Sequence, residues 1–191
     1  MADIHLMRHG AYENHRPGYH APLDAPLTAE GRDQVRRSLP LPDGITGILT
    51  SPILRARQTA AEITRLTGLP IITTTGLLAE WRAPTIVLGH TPDTYPPTYR
   101  AWKERRLENP SLRCSDGETL TELHIRATRC ADFLHATAEA NGRLLVISHA
   151  VFLGVLTHLH EGPTAFTAAA RHPWPFTERR PLAQPHNRPL G

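Results

Sequence analysis

The stretch Leu6-Met7-Arg8-His9-Gly10 closes a short apolar run and then places an arginine, a histidine and a glycine in a row. The apolar run predicts a buried strand, and Gly10 would allow the backbone to turn sharply where that strand ends. We then expect His9 at the carboxyl edge of the sheet, where open α/β sheets bind their ligands. Arg8 adds a fixed positive charge with a planar fork that fits phosphate. Because three such residues can also occur together by chance, the rest of the chain must show whether they form a binding site.

Length, composition and charge limit the classes of protein to which this chain can belong. Its 191 residues are enough for one domain with a buried core, and an apolar content of 40% is slightly low for a globular protein but far from that of a disordered chain. A net charge of +3 without a dense basic run argues against nucleic acid as a partner. The same modest excess of positive charge suits a small anionic ligand.

The cysteines and the N-terminus indicate a cytoplasmic protein. Cys114 and Cys130 lack the spacing of a metal site, which favours reduced thiols in a cytosolic protein. The N-terminus lacks the basic and apolar regions of a signal peptide, and no run approaches the ~20 apolar residues that span a bilayer. We therefore expect cytoplasmic localisation and no membrane partner.

Strands and helices alternate along the first half of the chain. The predicted elements are strands over 3–7, 45–50 and 69–74, a helix from the Thr28 cap to about Ser38, and a long polar loop over 11–26. A loop that follows a strand end directly is a common place for binding residues.

A second strand-to-helix junction carries another candidate phosphate ligand. Ser51-Pro52 predicts a helix start with serine as the cap and proline at the first helical position, and Gly68 ends that helix. Arg55 falls in the first turn, near free backbone N–H groups and the positive end of the helix dipole, which favour an anion. The alternative for Arg55 is an ordinary surface arginine.

The second half of the chain repeats the arrangement of a histidine at a strand end. Asp116 is the expected cap of a helix that ends at Asn141-Gly142 and has a continuous apolar face. A near-continuous apolar strand over 144–148 follows, of the kind buried on both faces. His149 stands at its end, directly before a helix predicted over about 150–160, so it also lies beside a helix N-terminus.

The βα alternation is interrupted once and fades at the C-terminus, but nothing divides the chain into separate domains. Residues 75–115 hold proline clusters and one helix-like piece, which we interpret as a cap insertion over the carboxyl edge of the sheet. Residues 163–191 are proline-rich without a helical or strand period, which predicts an irregular tail. We expect a single domain over 1–191.

Four motifs then occur in order: Arg8-His9-Gly10, Pro26-Leu27-Thr28-Ala29-Glu30-Gly31, SPILRARQTA over 51–60, and Ser148-His149-Ala150. In their order and spacing they resemble the histidine phosphatase superfamily, the phosphoglycerate-mutase-like group with an Arg-His-Gly signature. The resemblance covers residues 3 to about 160. It implies a three-layer α/β/α sandwich with a mostly parallel central sheet, and a reaction through a covalent phosphohistidine.

The resemblance also implies roles for individual residues. His9 would be the nucleophile, and Arg8, Arg55 and His149 would hold the phosphate. Glu80 matches the proton donor that the family places after the third strand, with a solvated loop carboxylate as the alternative.

The chemistry of phosphate esters suits these residue types. A neutral imidazole attacks an anionic ester without charge repulsion, and nearby guanidinium groups favour its neutral form. Phosphoryl transfer depends mainly on positioning and on fixed positive charge. We expect Arg8, Arg55 and a protonated His149 to supply that charge, so we expect no metal and no cofactor.

The chain departs from the family pattern after the signature glycine. The family often has Glu-Thr where this chain has Ala11-Tyr12, and an asparagine where it has His15. Asn14, one position earlier, is a candidate contact for a phosphate oxygen.

Two residues beside Glu80 are candidates for contacting the rest of the substrate. Arg82 is one, and Trp81 is the other, with burial in the core as the alternative for the tryptophan.

Together these features predict a metal-independent phosphomonoesterase acting on a small phosphorylated metabolite. The alternatives are phosphoglycerate-mutase-type phosphoryl transfer and a catalytically silent, phosphate-binding regulatory module. The family commonly adds a strand after the second histidine, and the proline-rich end offers no clear one. That leaves the sheet edge bare, covered by the tail, or covered by a second subunit in a homodimer.

Overall fold

The computed structural model describes residues 4–20 and 22–183, and within them a five-stranded sheet lies at the centre. Its strands are β1 (Ile4–Arg8), β2 (Ile45–Thr50), β3 (Ile71–Thr74), β4 (Arg143–Ser148) and β5 (Arg179–Pro181). They lie in the order β3-β2-β4-β1-β5; the first four are parallel, and β5 runs antiparallel to β1. Because Arg8 lies opposite Ser148 in the β1–β4 ladder, the carboxyl ends of these two strands meet.

Helices cover both faces of the sheet. They are α1 (Ala29–Arg37), α2 (Leu54–Thr67), α3 (Pro97–Arg105), α4 (Leu120–Asn141), α5 (Ala150–Thr157) and α6 (Ala165–Arg171). On one face α1 and α2 bury Met7, Ile48 and Ile147, and on the other α4 and α5 bury Leu6 and Val146. This is the predicted three-layer α/β/α sandwich with a mostly parallel sheet. Of the helices that the structure describes, none is long and apolar enough to cross a membrane.

Two helices begin later than predicted. α2 begins at Leu54 rather than directly after Ser51, because the Ser51 hydroxyl accepts the Ile53 N–H in a turn ahead of the helix. α4 is capped by Thr119, which forms a capping box with the first turn of the helix. Asp116, the predicted cap, instead accepts hydrogen bonds from a loop of the cap segment.

The expectation of an irregular tail over 163–191 is wrong for its first part, since α6 and β5 both lie there; residues 184–191 lie outside the described residues. α6 packs on α5 through small residues, and a Cβ on Gly154 would lie only 2.4 Å from the Cβ of Ala169. A helix face built of alanines gives a weak hydrophobic pattern. β5 is a three-residue edge strand, which needs no apolar alternation to pair with β1. The C-terminal stretch itself therefore covers this sheet edge.

The cap segment, residues 75–115, replaces a βα unit with short 3-10 turns and α3. Its aromatic side chains belong to the same core as α4 and α5. Trp81 stacks on Trp102 with the ring centroids 5.8 Å apart and the planes within 7° of parallel. Tyr99 in turn stacks on Trp102 at 5.3 Å. The residues next to Glu80 are thus anchored by aromatic packing.

Two glycines allow the end of β1 to approach the start of α1. A Cβ on Gly10 would lie 2.6 Å from the Gly31 carbonyl oxygen, and a Cβ on Gly31 would lie 2.0 Å from the Ala11 carbonyl oxygen. Gly10 does not adopt a left-handed backbone conformation. Close backbone approach to α1, rather than a left-handed conformation, is therefore what requires glycine at this position.

We expect Gly31→Ala to lower the free energy of unfolding by roughly 1–3 kcal/mol, the usual range for overpacking. The loss should occur even though alanine normally favours a helix over glycine. Urea unfolding followed by circular dichroism measures it. Gly76→Ala is the matched control, because a Cβ there meets nothing within 4 Å. If the two variants were equally stable, the close approach would not constrain the fold.

Candidate active site

His9 and His149 face each other across the adjacent ends of β1 and β4. The backbone N–H of His9 donates to the Ser148 carbonyl oxygen at 3.1 Å, which extends the ladder to the signature histidine. The imidazole centroids lie 5.0 Å apart, and the residues are only 2% and 0% exposed. The sheet register therefore brings together two histidines that are 140 positions apart in the sequence.

The hydrogen bonds of His9 define its tautomer. Nδ1 lies 2.7 Å from the Gly10 carbonyl oxygen, which can only accept, so Nδ1 carries the hydrogen. The Nε–H of Arg55 donates to Nε2 at 3.1 Å, so Nε2 presents its lone pair. Burial, and next the positive charge of Arg55, lower the pKa of His9 well below its ordinary value. His9 is therefore a neutral imidazole whose Nε2 lone pair accepts the Arg55 Nε–H.

Arg55 is the second residue of α2 and is only 5% exposed. Its guanidinium lies over the Tyr12 ring, with Cζ 4.6 Å from the centroid, and donates to the Pro22 carbonyl oxygen at 3.3 Å. Burial is the main cause that lowers its pKa. The surface alternative for Arg55 is wrong, and the guanidinium is a buried cation without a carboxylate hydrogen-bonded to it among the described residues.

Arg8, the last residue of β1, is held by the C-terminal stretch. Its guanidinium donates to the Trp174 carbonyl oxygen and lies 3.9 Å from the centroid of the Phe176 ring. The Thr177 N–H donates to the Arg8 carbonyl oxygen at 3.1 Å. The Nε atom of Arg8 is buried without a hydrogen-bond partner among the described residues. Arg8 is thus a second cation with donor capacity left for a ligand.

His149 lies at the N-cap of α5, with Nε2 2.8 Å from the Ser51 hydroxyl. Burial is the main cause that lowers the pKa of His149 well below its ordinary value, and its electrostatic coupling to His9 and the charge of Arg55 act in the same direction. The ligand-free protein therefore favours neutral His149, and the protonated state expected beside a bound phosphate stays a prediction. Its Nδ1 is fully buried without a hydrogen-bond partner in the described part of the chain.

Glu80 is bound at the first turn of α5 rather than solvated. Its Oε1 accepts the N–H groups of Trp81 and Phe152, both at 2.9 Å, and its Oε2 accepts that of Val151 at 3.2 Å. The negative charge of Glu80 acts to raise the pKa values of Arg8 and Arg55, so the carboxylate lies within electrostatic reach of both cations.

His15, rather than Asn14, packs against the pocket. Asn14 is exposed with a left-handed φ of 60°. The His15 ring lies 4.9 Å from Phe176 and 5.2 Å from Tyr12. Partial burial, then Arg8 and Arg55, lowers the pKa of His15. The position that the family resemblance singles out is therefore occupied here by a titratable ring.

Of the two substrate candidates beside Glu80, Trp81 is a core residue. It is 7% exposed, and its indole N–H donates to the Glu118 carbonyl oxygen at 2.9 Å. Arg82 is exposed. Glu118 hydrogen-bonds to the backbone N–H and carbonyl groups of Arg82 and not to its guanidinium. Its contact with substrate stays a prediction.

Several residues around the site had no signal in the sequence. Phe176 and Trp174 lie in the stretch expected to be irregular, and only the fold brings them to Arg8. Thr59 accepts the Gly10 N–H at 3.1 Å and donates to the Arg55 carbonyl oxygen, which links the signature to α2. Across residues 4–20 and 22–183, no group of three or more His, Cys, Asp or Glu side chains could hold a metal ion.

Comparisons with known proteins agree with this geometry. The family model of the histidine phosphatase superfamily (branch 1) matches residues 4–174. The probable phosphoglycerate mutase GpmB of Enterobacter sp. (strain 638) is 32% identical over 174 residues, which cover 87% of this chain and 78% of that protein.

Solved structures show the same fold. The alpha-ribazole phosphatase of Shigella flexneri matches with a TM-score of 0.74 at 20% identity, over 92% of this chain and 87% of that one. The phosphoserine phosphatase of Entamoeba histolytica matches with a TM-score of 0.73 at 19% identity, over the same shares of the two chains.

The buried state of His149 predicts a pH-dependent stability. Its folded-state pKa lies below its ordinary value, so the unfolded chain takes up a proton that the folded protein does not as the pH falls below about 6.5. Stability present above that pH is lost at up to about 1.4 kcal/mol per pH unit. We expect His149→Gln to reduce this slope between pH 6.5 and 5, measured by urea unfolding. His160→Gln, at an exposed histidine, is the control; equal slopes in His149→Gln and the parent would contradict the assignment.

Proposed function

The chain belongs to the histidine phosphatase superfamily, and we propose that it is a metal-independent phosphomonoesterase that hydrolyses a small phosphorylated metabolite. One observation carries the proposal: the Nε2 lone pair of neutral His9 lies 3.1 Å from the Arg55 guanidinium, inside a buried site. A nucleophile without charge, beside a fixed cation, suits attack on a phosphate dianion.

Three donors support a phosphate site beside His9. Arg55 is a buried cation and Arg8 a half-buried one, and Arg8 Nε has no partner among the described residues. The Ser51 hydroxyl accepts the Ile53 N–H and can donate its own hydrogen to His149 Nε2. The ring hydrogen of His149 then resides on Nδ1, where a phosphate oxygen would be its acceptor. The charge of a bound dianion would also favour protonation of His149.

In the first step the Arg55 Nε–H, which His9 Nε2 accepts in the ligand-free protein, turns to a phosphate oxygen, and Nε2 attacks the phosphorus atom in line with the ester oxygen. The N–P bond forms as the P–O ester bond breaks, and the Gly10 carbonyl oxygen stabilises the positive charge on the ring through Nδ1–H. The leaving alkoxide takes a proton from the Glu80 carboxyl group. Water then attacks phosphorus, gives its proton to the Glu80 carboxylate, and breaks the N–P bond. Inorganic phosphate leaves, and His9 returns to its neutral state.

Phosphoryl transfer of the mutase type is the second candidate. Relatives named probable phosphoglycerate mutase GpmB are 28–32% identical to this chain, and they cover up to 88% of it. Stimulation of turnover by a bisphosphorylated sugar acid would favour the mutase. Binding of phosphate esters without any turnover would instead favour a regulatory module. A panel of phosphate monoesters ranked by kcat/KM would identify the substrate class.

We expect a phosphoenzyme on His9. After rapid quenching with 32P-labelled substrate, the parent protein should carry acid-labile, base-stable label, and His9→Ala should carry none and lose at least about 10³-fold in kcat. His160→Ala, at an exposed histidine distant in sequence from the signature, is the matched control. Full activity of His9→Ala would overturn the mechanism.

Glu80→Gln should separate substrates by leaving group. The amide cannot donate the proton that an alkoxide needs, so hydrolysis of an alkyl phosphate should slow by roughly 10²–10⁴-fold. Hydrolysis of p-nitrophenyl phosphate, whose leaving group needs no proton, should change far less. Measurement of kcat/KM for both esters tests the assignment, and equal slowing of the two would remove Glu80 as the acid.

A further inference from the structure

The backbone on both sides of Glu80 is held by one ion pair that the catalytic steps above do not use. Arg126 on α4 donates through Nε and Nη2 to the two carboxylate oxygens of Glu118, at 2.7 and 2.8 Å. Both side chains are largely removed from solvent, 18% and 9% exposed. Two-point pairing of this kind specifies orientation as well as charge.

The remaining donors of Arg126 bind the segment that leads into Glu80. Nη1 donates to the Leu77 and Ala79 carbonyl oxygens at 3.0 and 2.8 Å, and Nη2 donates to the Glu80 carbonyl oxygen at 3.3 Å. With the two bonds to Glu118, all five N–H groups of the guanidinium are used. A lysine has three donors on a single atom and could not reproduce this set.

Glu118 binds the residues that follow Glu80. Its Oε2 accepts the Arg82 N–H at 3.2 Å, and its backbone N–H donates to the Arg82 carbonyl oxygen at 2.8 Å. Its carbonyl oxygen accepts the Trp81 indole N–H. The pair of Arg126 and Glu118 thus binds the backbone from Leu77 to Arg82, on both sides of Glu80.

The same guanidinium also contacts the helix turn that binds the carboxylate. Arg126 Cζ lies 4.6 Å from the centroid of Phe152, whose backbone N–H donates to Glu80 Oε1. Arg126 therefore touches both partners of that contact, the loop that carries Glu80 and the first turn of α5.

We propose that Glu118 and Arg126 are positioning residues that hold the Glu80 carboxyl group at the distance from the phosphate where it can protonate the leaving oxygen. This rests on the proposed role of Glu80 as the acid. Loss of the pair should damage proton transfer and leave phosphate binding by Arg8, Arg55 and His149 in place. A misplacement of about 1 Å can cost roughly 100-fold in rate.

The test compares leaving groups. Arg126→Lys and Glu118→Gln should each slow an alkyl phosphate by roughly 10–100-fold in kcat and p-nitrophenyl phosphate by less than about threefold, with the dissociation constant for inorganic phosphate little changed. Arg113→Lys is the matched control, because Arg113 pairs with Glu122 at the same end of α4 without contacting residues 77–82. The two variants of the pair guard against a single one that fails to fold.

A double-mutant cycle separates positioning from general stabilisation. In a Glu80→Gln background, Arg126→Lys should slow the alkyl phosphate by no further large factor, since its effect acts through Glu80. Additive losses, or equal slowing of both esters, would show that the pair only stabilises the fold. If Glu80→Gln itself proved unselective between leaving groups, the role of Glu80 in the proposed function would fail instead.

Discussion

The site depends on a neutral imidazole held between a carbonyl oxygen and a guanidinium. His9 donates from Nδ1 to Gly10 and accepts at Nε2 from Arg55. Each contact needs a specific backbone position: β1 must end at Arg8, and α2 must begin close enough for its first turn to reach the ring. The Thr59 bridge holds α2 to the signature loop, and the Gly10–Gly31 approach holds α1 to it. The positions of the start of α1, the signature loop and α2 therefore depend on one another.

Positive charge in a buried place is costly unless a counter-charge arrives. Arg8 and Arg55 both have lowered pKa values because of burial, and His9 and His149 are driven to the neutral form by the same environment. The folded protein supports this arrangement with neutral groups, namely the Trp174 carbonyl oxygen and the rings of Tyr12 and Phe176. These direct contacts hold the guanidinium groups in place without pairing them to a carboxylate, and the Glu80 charge acts on them only from a distance, which leaves their donors for an anionic ligand.

The parts of this site that the sequence predicts are those determined by local position. His9 and His149 directly follow apolar strands, and Arg55 falls in the first turn of a helix, so periodicity alone places them at one sheet edge. Glu80 could be predicted as a site residue only from the family resemblance, because the apolar residues of the cap segment do not recur at helical or strand spacing. The role of Phe176 had no local signal at all, since its contact with Arg8 joins residues 168 positions apart. Edge strand β5 was missed because three residues, Arg-Arg-Pro, carry no alternation.

The first turn of α5 contacts both the phosphate-binding side of the site and the proposed acid. His149 is its N-cap, and the N–H groups of Val151 and Phe152 bind the Glu80 carboxylate. A shift of this helix would therefore move the phosphate-side histidine and the acid together. The sheet places His149 through β4 and also holds the Glu80 loop, since the Ser148 hydroxyl donates to the Leu78 carbonyl oxygen at 2.7 Å. Arg126 and Glu118 hold the loop from the side of α4. Because the acid lies on a loop without its own secondary structure, its position is a tertiary property, to which β4, α4 and α5 all contribute.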